Sequence, residues 1–155
     1  MRVMTSYFYQ IRFFSPNMVP FSTALYDPKW YHDNKGTEHL FFDKRGVVNG
    51  LRVPMLVPPQ WCANACKGFE KCPVKDPEEC AFLKAYGDYV NTLKVDDVLA
   101  WLSRACDKIQ ARSHFPMEPV AVLIFHEKYD NPCSERVPVT KWLLSHDIDV
   151  IEFIN

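Results

Sequence analysis

A continuous apolar run near the end of the chain, Pro119–Phe125, restricts the fold more than any other stretch. Its sequence, PVAVLIF, contains no polar residue, which is typical of a strand buried on both faces of a parallel sheet. A polar loop, a predicted helix over Val137–His146 and a final predicted strand over Ile148–Ile154 follow it. Strand, helix and strand in this order predict a C-terminal βαβ unit with parallel strands and a right-handed crossover.

The first half of the chain adds further predicted strands. Arg2–Phe8 and Val19–Leu25 are rich in residues that favour β-structure. Leu51–Val57 is also apolar, but Pro54 confines it to an edge or an irregular segment. We therefore expect a single α/β domain over residues 1–155, Rossmann-like, with a mostly parallel sheet.

Two more helices are predicted between these strands. Asp76 and Pro77 are a favoured N-cap and first-position pair, and apolar residues follow at helical spacing. Val95–Arg112 carries an apolar stripe on one face. Cys106 falls on that stripe, and we interpret it as a packed core thiol.

Composition restricts the class of protein. The chain has 155 residues, of which 48% are hydrophobic and 24% charged, and its formal net charge is -1; this is ordinary for a globular protein and gives no global bias towards nucleic acid. No apolar run approaches the ~20 residues of a membrane span, and the first residues lack the pattern of a signal peptide. We therefore expect a cytoplasmic protein without a membrane partner.

Four of the six cysteines lie within one irregular stretch, Trp61–Cys80. They follow the spacing C-x3-C-x5-C-x7-C, and the stretch has no apolar periodicity from which to build a core. Clustered thiols in a reducing compartment favour a metal over disulfides. We predict one metal site of four thiolates, Cys62, Cys66, Cys72 and Cys80, that orders the loop when metal binds.

The identity of the metal stays open between a zinc ion and a [4Fe-4S] cluster. Structural zinc sites usually contain closer cysteine pairs, whereas iron–sulfur clusters accept varied spacings. Lys67, Lys71 and Lys75 lie between the cysteines and would offset the negative charge of the thiolates. Two disulfides, or unconnected thiols, are the alternatives.

The loop after Pro119–Phe125 carries a second group of reactive side chains. In an open α/β sheet this loop and the end of the first strand share the carboxyl edge, where ligands bind. We predict a ligand crevice at this edge, built from Ser6, Tyr7, His126, Glu127, Cys133, Ser134 and Arg136. The loop between the second and third predicted strands offers a weaker candidate site. Its polar residues form either a ligand set or a solvated loop: His32, Asp33, Glu38 and His39. Trp30 and Tyr31 in the same loop either stack on a base or cover the core.

The crevice residues have distinct predicted roles. Backbone amides at the helix start, with Ser134 and Arg136, would hold a phosphate group, and Tyr7 and His126 would line the ligand. The catalytic candidates are Ser6, Glu127, Cys133 and Arg136. Cys133 is either a nucleophile, an extra metal ligand or a packed residue, and Ser134 is alternatively a helix cap.

The segments TSYF, VPFSTAL and YDPKWY, with the closing VAVLIFHEKYDNPCSERVPVTKWLLSHDIDVIEF, resemble the family catalogued as domain of unknown function 488. The resemblance covers both ends of the chain and implies a small Rossmann-like domain. It marks Ser6, Tyr7, Glu127, Cys133 and Arg136. This chain reads Cys-Ser-Glu-Arg where the family has Cys-His-Arg, so an acid–base role of that histidine is not carried over.

Three functional hypotheses follow. The first is a metalloprotein whose crevice binds a phosphate-bearing small molecule or nucleic acid. The titratable groups of the crevice favour an enzyme, but whether it is one, and its reaction, stay open. The second is a non-enzymatic module that binds nucleic acid or protein through the lysines of the cysteine loop, with a structural metal. The third is a redox protein, which requires the iron–sulfur cluster.

Overall fold

The structure is a computed structural model, and it describes residues 1–31, 40–66 and 76–155. Parallel strands form its centre. The strands of the described residues are β1 (Arg2–Tyr7), β2 (Met18–Ser22), β3 (Phe41–Phe42), β4 (Val48–Asn49), β5 (Val120–Phe125) and β6 (Val150–Glu152). The helices are α1 (Gln60–Asn64), α2 (Ala81–Asn91), α3 (Val95–Ser113) and α4 (Arg136–Ser145), and short 3-10 helices span Phe8–Phe13, Pro54–Leu56 and Pro77–Glu79.

Four strands pair into a parallel sheet in the order β2-β5-β1-β6, and β3 and β4 form a separate antiparallel pair. The predicted α/β class and parallel sheet are therefore confirmed. Every residue of β5 is buried, because β5 is an inner strand covered on both faces. β1 lies between β5 and β6, so the predicted C-terminal βαβ unit has parallel strands that are one strand apart.

The two faces of the sheet are covered differently. Helices α2, α3 and α4 pack on one face, where alternate residues of β5 (Ala121, Leu123 and Phe125) join the larger hydrophobic core. The 3-10 helix Phe8–Phe13 covers the opposite face. Cys106 is 1% exposed within the helical face, which confirms its predicted place in the core. In the part of the chain that is described, no helix combines the length and apolar character needed to cross a membrane.

Leu51–Val57 is an irregular segment, which was the alternative to an edge strand: Arg52 makes a single bridge to Ser22, and a 3-10 helix begins at Pro54, which has no N–H to donate to a strand ladder. One predicted element differs from the structure. The helix predicted to start at Asp76 starts later. Asp76 instead caps the 3-10 helix Pro77–Glu79 through a 3.0 Å hydrogen bond from the Glu78 amide, and Cys80 is the N-cap of α2.

Candidate functional site at the carboxyl edge of the sheet

The ends of β1 and β5 meet at one edge of the sheet because the two strands are parallel and in register. Ser6 pairs with Ile124, and Tyr7 pairs with Phe125. The segment 126–135 leaves this edge and leads into α4. The structure therefore brings the predicted residues of the first strand to the same edge as those of the loop.

Arg136 is the centre of this edge. It is 7% exposed, and its Nε lies 2.7 Å from Glu152 Oε1 on β6. Its terminal nitrogens donate to the carbonyl oxygens of Lys128 (2.9 Å), Glu127 (2.9 Å) and Ser6 (3.2 Å). Both terminal nitrogens are thus hydrogen-bonded within the fold, and Nε forms an ion pair with Glu152 that has no hydrogen-bond geometry. This geometry favours a structural role over the predicted contact with a phosphate group.

The start of α4 is also committed to internal hydrogen bonds. The Arg136 amide donates to Ser134 Oγ at 3.1 Å, and the Val137 and Val139 amides donate to the carbonyls of Ser134 and Glu135. Ser134 is fully buried. It therefore caps the helix, the structural alternative for this residue, and these amides are not available to an anion.

Two carboxyl groups, one buried and one half-buried, lie beside Arg136. Glu127 Oε2 is buried and has no hydrogen-bond partner within the described residues. Glu135 is 7% exposed, and burial, with the nearby charge of Glu127 adding to it, raises its pKa to about 8. Burial also raises the pKa of Glu127, against the opposing effects of its own amide, His126 and Arg136. Like charges this close in a low-dielectric site favour keeping a proton on the pair.

The remaining crevice residues have separate environments. Ser6 is buried, and its Oγ donates to the Phe153 carbonyl at 2.9 Å. The Tyr7 hydroxyl accepts a 2.9 Å hydrogen bond from Gln10. His126 is exposed, contacts the Tyr26 carbonyl through Nε2, and its ring lies 5.1 Å from that of Phe8. Cys133 is partly buried against the helical-face core. Of these, His126 faces solvent and Ser6 does not.

The described cysteines of the predicted metal site do not define a metal centre. Cys62 is fully buried in the core, and Cys66 and Cys80 pack against the same core. Among the residues that the structure describes, no group of three or more His, Cys, Asp and Glu side chains is arranged to hold a metal, and no disulfide joins two cysteines. Cys72, like Lys67, Lys71 and Lys75, lies outside the described residues. The four-thiolate centre stays a prediction.

The protein environment of Cys62 favours the neutral thiol in the absence of metal. Burial, with the charge of Asp88 adding to it, raises the pKa of this thiol. Tyr86 and Tyr89 of α2 lie nearby and donate to the carbonyls of Leu56 (2.6 Å) and Met55 (2.7 Å). These two hydrogen bonds tie the segment before α1 to α2 without a metal.

A second arginine and carboxylate pair lies at the end of β2. Arg52 Nε is 3.4 Å from Asp27 Oδ2, and Arg52 also donates to the Ala24 carbonyl at 2.6 Å. Ser22, fully buried, donates to the same carboxylate through Oγ. Sequence reasoning missed this centre and Glu135 alike. Tyr31 is a core residue, 3% exposed, so it does not stack on a base; His32, Asp33, Glu38 and His39 lie outside the described residues.

The fold and the edge site define a class: an α/β protein with a buried acid centre at the carboxyl edge of its parallel sheet. Comparisons of the chain with protein-family models, with curated proteins and with solved structures each found no match. Chemically, the edge offers two carboxyls with raised pKa, of which that of Glu135 is about 8, and an exposed imidazole. That set can move a proton at a bound ligand.

Proposed function

We propose that this protein is an enzyme of Rossmann-like fold that transfers a proton at the carboxyl edge of its sheet. The observation that carries the proposal is the buried Oε2 of Glu127, which has no hydrogen-bond partner among the described residues, beside the buried carboxyl of Glu135. A buried polar atom without a partner destabilises the folded state, and such groups concentrate where function requires them.

The two carboxyls have different roles in this proposal. Glu127 is the less buried of the two and exchanges the proton with the ligand. Glu135 lies deeper, and its carboxyl keeps the shared proton on the pair near neutral pH. The exposed His126 stands at the mouth of the site, where it accepts or returns the proton to solvent. Cys133 and Ser6 border the site, and Arg136 positions Glu127 by holding its carbonyl at 2.9 Å.

The ligand class expected from the sequence, a phosphate-bearing small molecule or nucleic acid, is retained with one change. Arg136 and Ser134 were predicted to hold the phosphate, but both are engaged in the fold. The positive charge that meets the phosphate must therefore come from other residues.

The test is a screen of phosphomonoesters and nucleotides for turnover by NMR, with matched variants. Glu127→Gln is expected to abolish turnover of any substrate found. Glu135→Gln replaces a carboxyl that keeps its proton below about pH 8 by a neutral amide, so it should remove a basic limb near pH 8 from the pH profile and not abolish turnover. Arg104→Gln, on the exposed side of α3, is the control and should leave activity unchanged. Full turnover by Glu127→Gln would contradict the proposal.

We further propose that Cys62, Cys66, Cys72 and Cys80 hold a zinc ion or a [4Fe-4S] cluster that braces the segment between α1 and α2. Support comes from the shared packing of the three described cysteines against one core. Elemental analysis of anaerobically purified protein should give about one zinc, or four irons with brown colour, per chain. Cys72→Ala should lower the metal content, and Cys106→Ala should not. Metal-free, folded wild-type protein would contradict the site; an iron–sulfur result would favour the redox alternative.

A further inference from the structure

A groove of about 330 Å³ lies on the sheet face opposite the three helices. The 3-10 helix Phe8–Phe13, Trp30 and the β3–β4 hairpin form its walls. The ring of Phe8 lies between this groove and His126. The groove is therefore a neighbour of the carboxyl edge, but its walls share no residue with the acid centre.

The walls present exposed aromatic rings. Tyr9 is 52% exposed and Trp30 48% exposed. Phe13, which is 40% exposed, continues the aromatic surface beyond Tyr9, with 6.0 Å between the two ring centroids. Rings left in solvent on both sides of one groove supply successive stacking surfaces, which single-stranded nucleic acids use because every base has a π-face.

The groove also carries a cation that has no ion-pair partner among the described residues. The Arg12 guanidinium lies 3.8 Å from the centroid of the Tyr9 ring, and its Nε donates to the Tyr9 carbonyl at 2.9 Å. Within the described residues it has no carboxylate partner. Arg45 differs, because it lies 2.7 Å from Asp43 and donates to the carbonyls of Ile11 and Phe14. These contacts hold the 3-10 helix Phe8–Phe13 against the β3–β4 hairpin.

We propose that this groove binds a single-stranded nucleic acid, with bases stacked on Trp30 and Tyr9 and a phosphate on Arg12. The combination of rings and one unneutralised cation is the chemistry of a base and its phosphate. The volume of the groove fits about one nucleotide, and Phe13 offers the place of the next base. The proposal goes beyond the proton transfer at Glu127 and does not depend on it.

The experiment measures fluorescence anisotropy of a labelled thymidine 12-mer against the full chain over a series of KCl concentrations. Trp30→Ala should weaken binding about tenfold, as expected for loss of one stacked base. Arg12→Gln should weaken binding and lower the slope of log K against log salt by about 0.7, the value of one phosphate contact on a single strand. Lys108→Gln, on the exposed face of α3, is the matched control and should bind as wild type.

Several outcomes would overturn the proposal. These are no binding of the 12-mer at low salt, unchanged binding by both folded variants, equal binding of a duplex, and displacement of the 12-mer by a polyglutamate peptide or by AMP at the same concentration. Glu135→Gln serves to separate the two proposals: it should bind the 12-mer as wild type does, because the acid centre shares no wall with the groove. Arg12 is exposed, so its variant tests the groove even where Trp30→Ala is poorly folded.

Discussion

Two arginines at the carboxyl edge of the sheet each contact a carboxylate and backbone carbonyl oxygens, but the two sites differ in the number of carboxyl groups per arginine. At the end of β2, Arg52 meets Asp27 and a backbone carbonyl, and Ser22 donates to the same carboxylate. At the ends of β1 and β5, Arg136 meets Glu152 and three backbone carbonyls. Each arginine fastens loops to strand ends, where several carbonyl oxygens converge.

The difference lies in the carboxyls that have no cation of their own. The Arg52 centre has one carboxylate for one guanidinium. The Arg136 centre adds Glu127 and Glu135, both with raised pKa, to its paired Glu152. Stability alone requires only the balanced arrangement, because an excess buried carboxyl destabilises the fold when it ionises. The unbalanced centre is therefore the better candidate for function, and the balanced one serves as its internal reference.

The largest expected effect is that of Arg136→Ala. It leaves Glu152 without its cation, although Thr5 still donates to this carboxylate, and three carbonyl oxygens without the arginine donor in a buried site. The free energy of unfolding should therefore fall by about 3–5 kcal/mol. Urea denaturation followed by circular dichroism measures the change. The comparison between the two centres would fail if this variant were as stable as wild type.

The second effect is a dependence of stability on pH that only the Arg136 centre has. Glu135 has a folded-state pKa of about 8, above its ordinary value. Between the ordinary carboxyl range and pH 8, the folded protein therefore keeps a proton on Glu135 that the unfolded chain has already released. Stability is then greatest at the acidic end of this window and falls by up to about 1.4 kcal/mol per pH unit. Glu135→Gln should reduce the slope of the unfolding free energy against pH.

Unfolding free energies at intervals from acidic pH to above 8 would measure this dependence. Glu79→Gln, at an exposed position, is the control and should follow the wild-type curve. Some fall with pH should remain in Glu135→Gln, because burial raises the pKa of Glu127 as well. A variant that keeps the full wild-type slope would show that Glu135 is not the group responsible.

The elements that could be predicted from sequence are those whose pattern is local. Strand β5 can be predicted because its apolar run is unbroken by polar residues. Helix α3, with Cys106 on its apolar stripe, can be predicted because its apolar residues recur at helical spacing. Leu51–Val57 shows the limit, because its composition suits a strand while Pro54 removes the donor that a strand needs.

The chemistry of the edge could be predicted only in part, because it depends on contacts between distant segments. Sequence reasoning placed Glu127 and Arg136 at the right edge, but not the engagement of Arg136 by Ser6, 130 residues away. Glu135 stands in a polar loop and next to an arginine, a context typical of a solvated residue. It is buried because the start of α4 packs against α2. Burial raises the pKa of the nearby Tyr86, and the charge of Glu135 adds to that effect.

A smaller loss of stability is expected for Arg52→Ala than for Arg136→Ala. The Arg52 side chain is 30% exposed, so water partly replaces its contacts, and Ser22 still donates to Asp27. We expect the free energy of unfolding to fall by about 2 kcal/mol. The same urea denaturation measures it, and a loss equal to that of Arg136→Ala would remove the distinction between the centres.

The smallest expected effects come from a matched pair of hydroxyl deletions. Thr5 Oγ1 donates to Glu152 Oε1 at 2.8 Å, as Ser22 Oγ donates to Asp27. Thr5→Val removes one neutral donor, and Ser22→Ala removes one together with the acceptor of the Ala24 amide at 3.2 Å. Both leave the arginine in place, so each should lower the free energy of unfolding by about 1 kcal/mol, Ser22→Ala by slightly more. Similar losses would locate the difference between the centres in their carboxyls. A much larger loss for Thr5→Val would instead show that Glu152 depends on its hydroxyl donor as much as on Arg136, and that the excess of carboxyls is not what sets this edge apart.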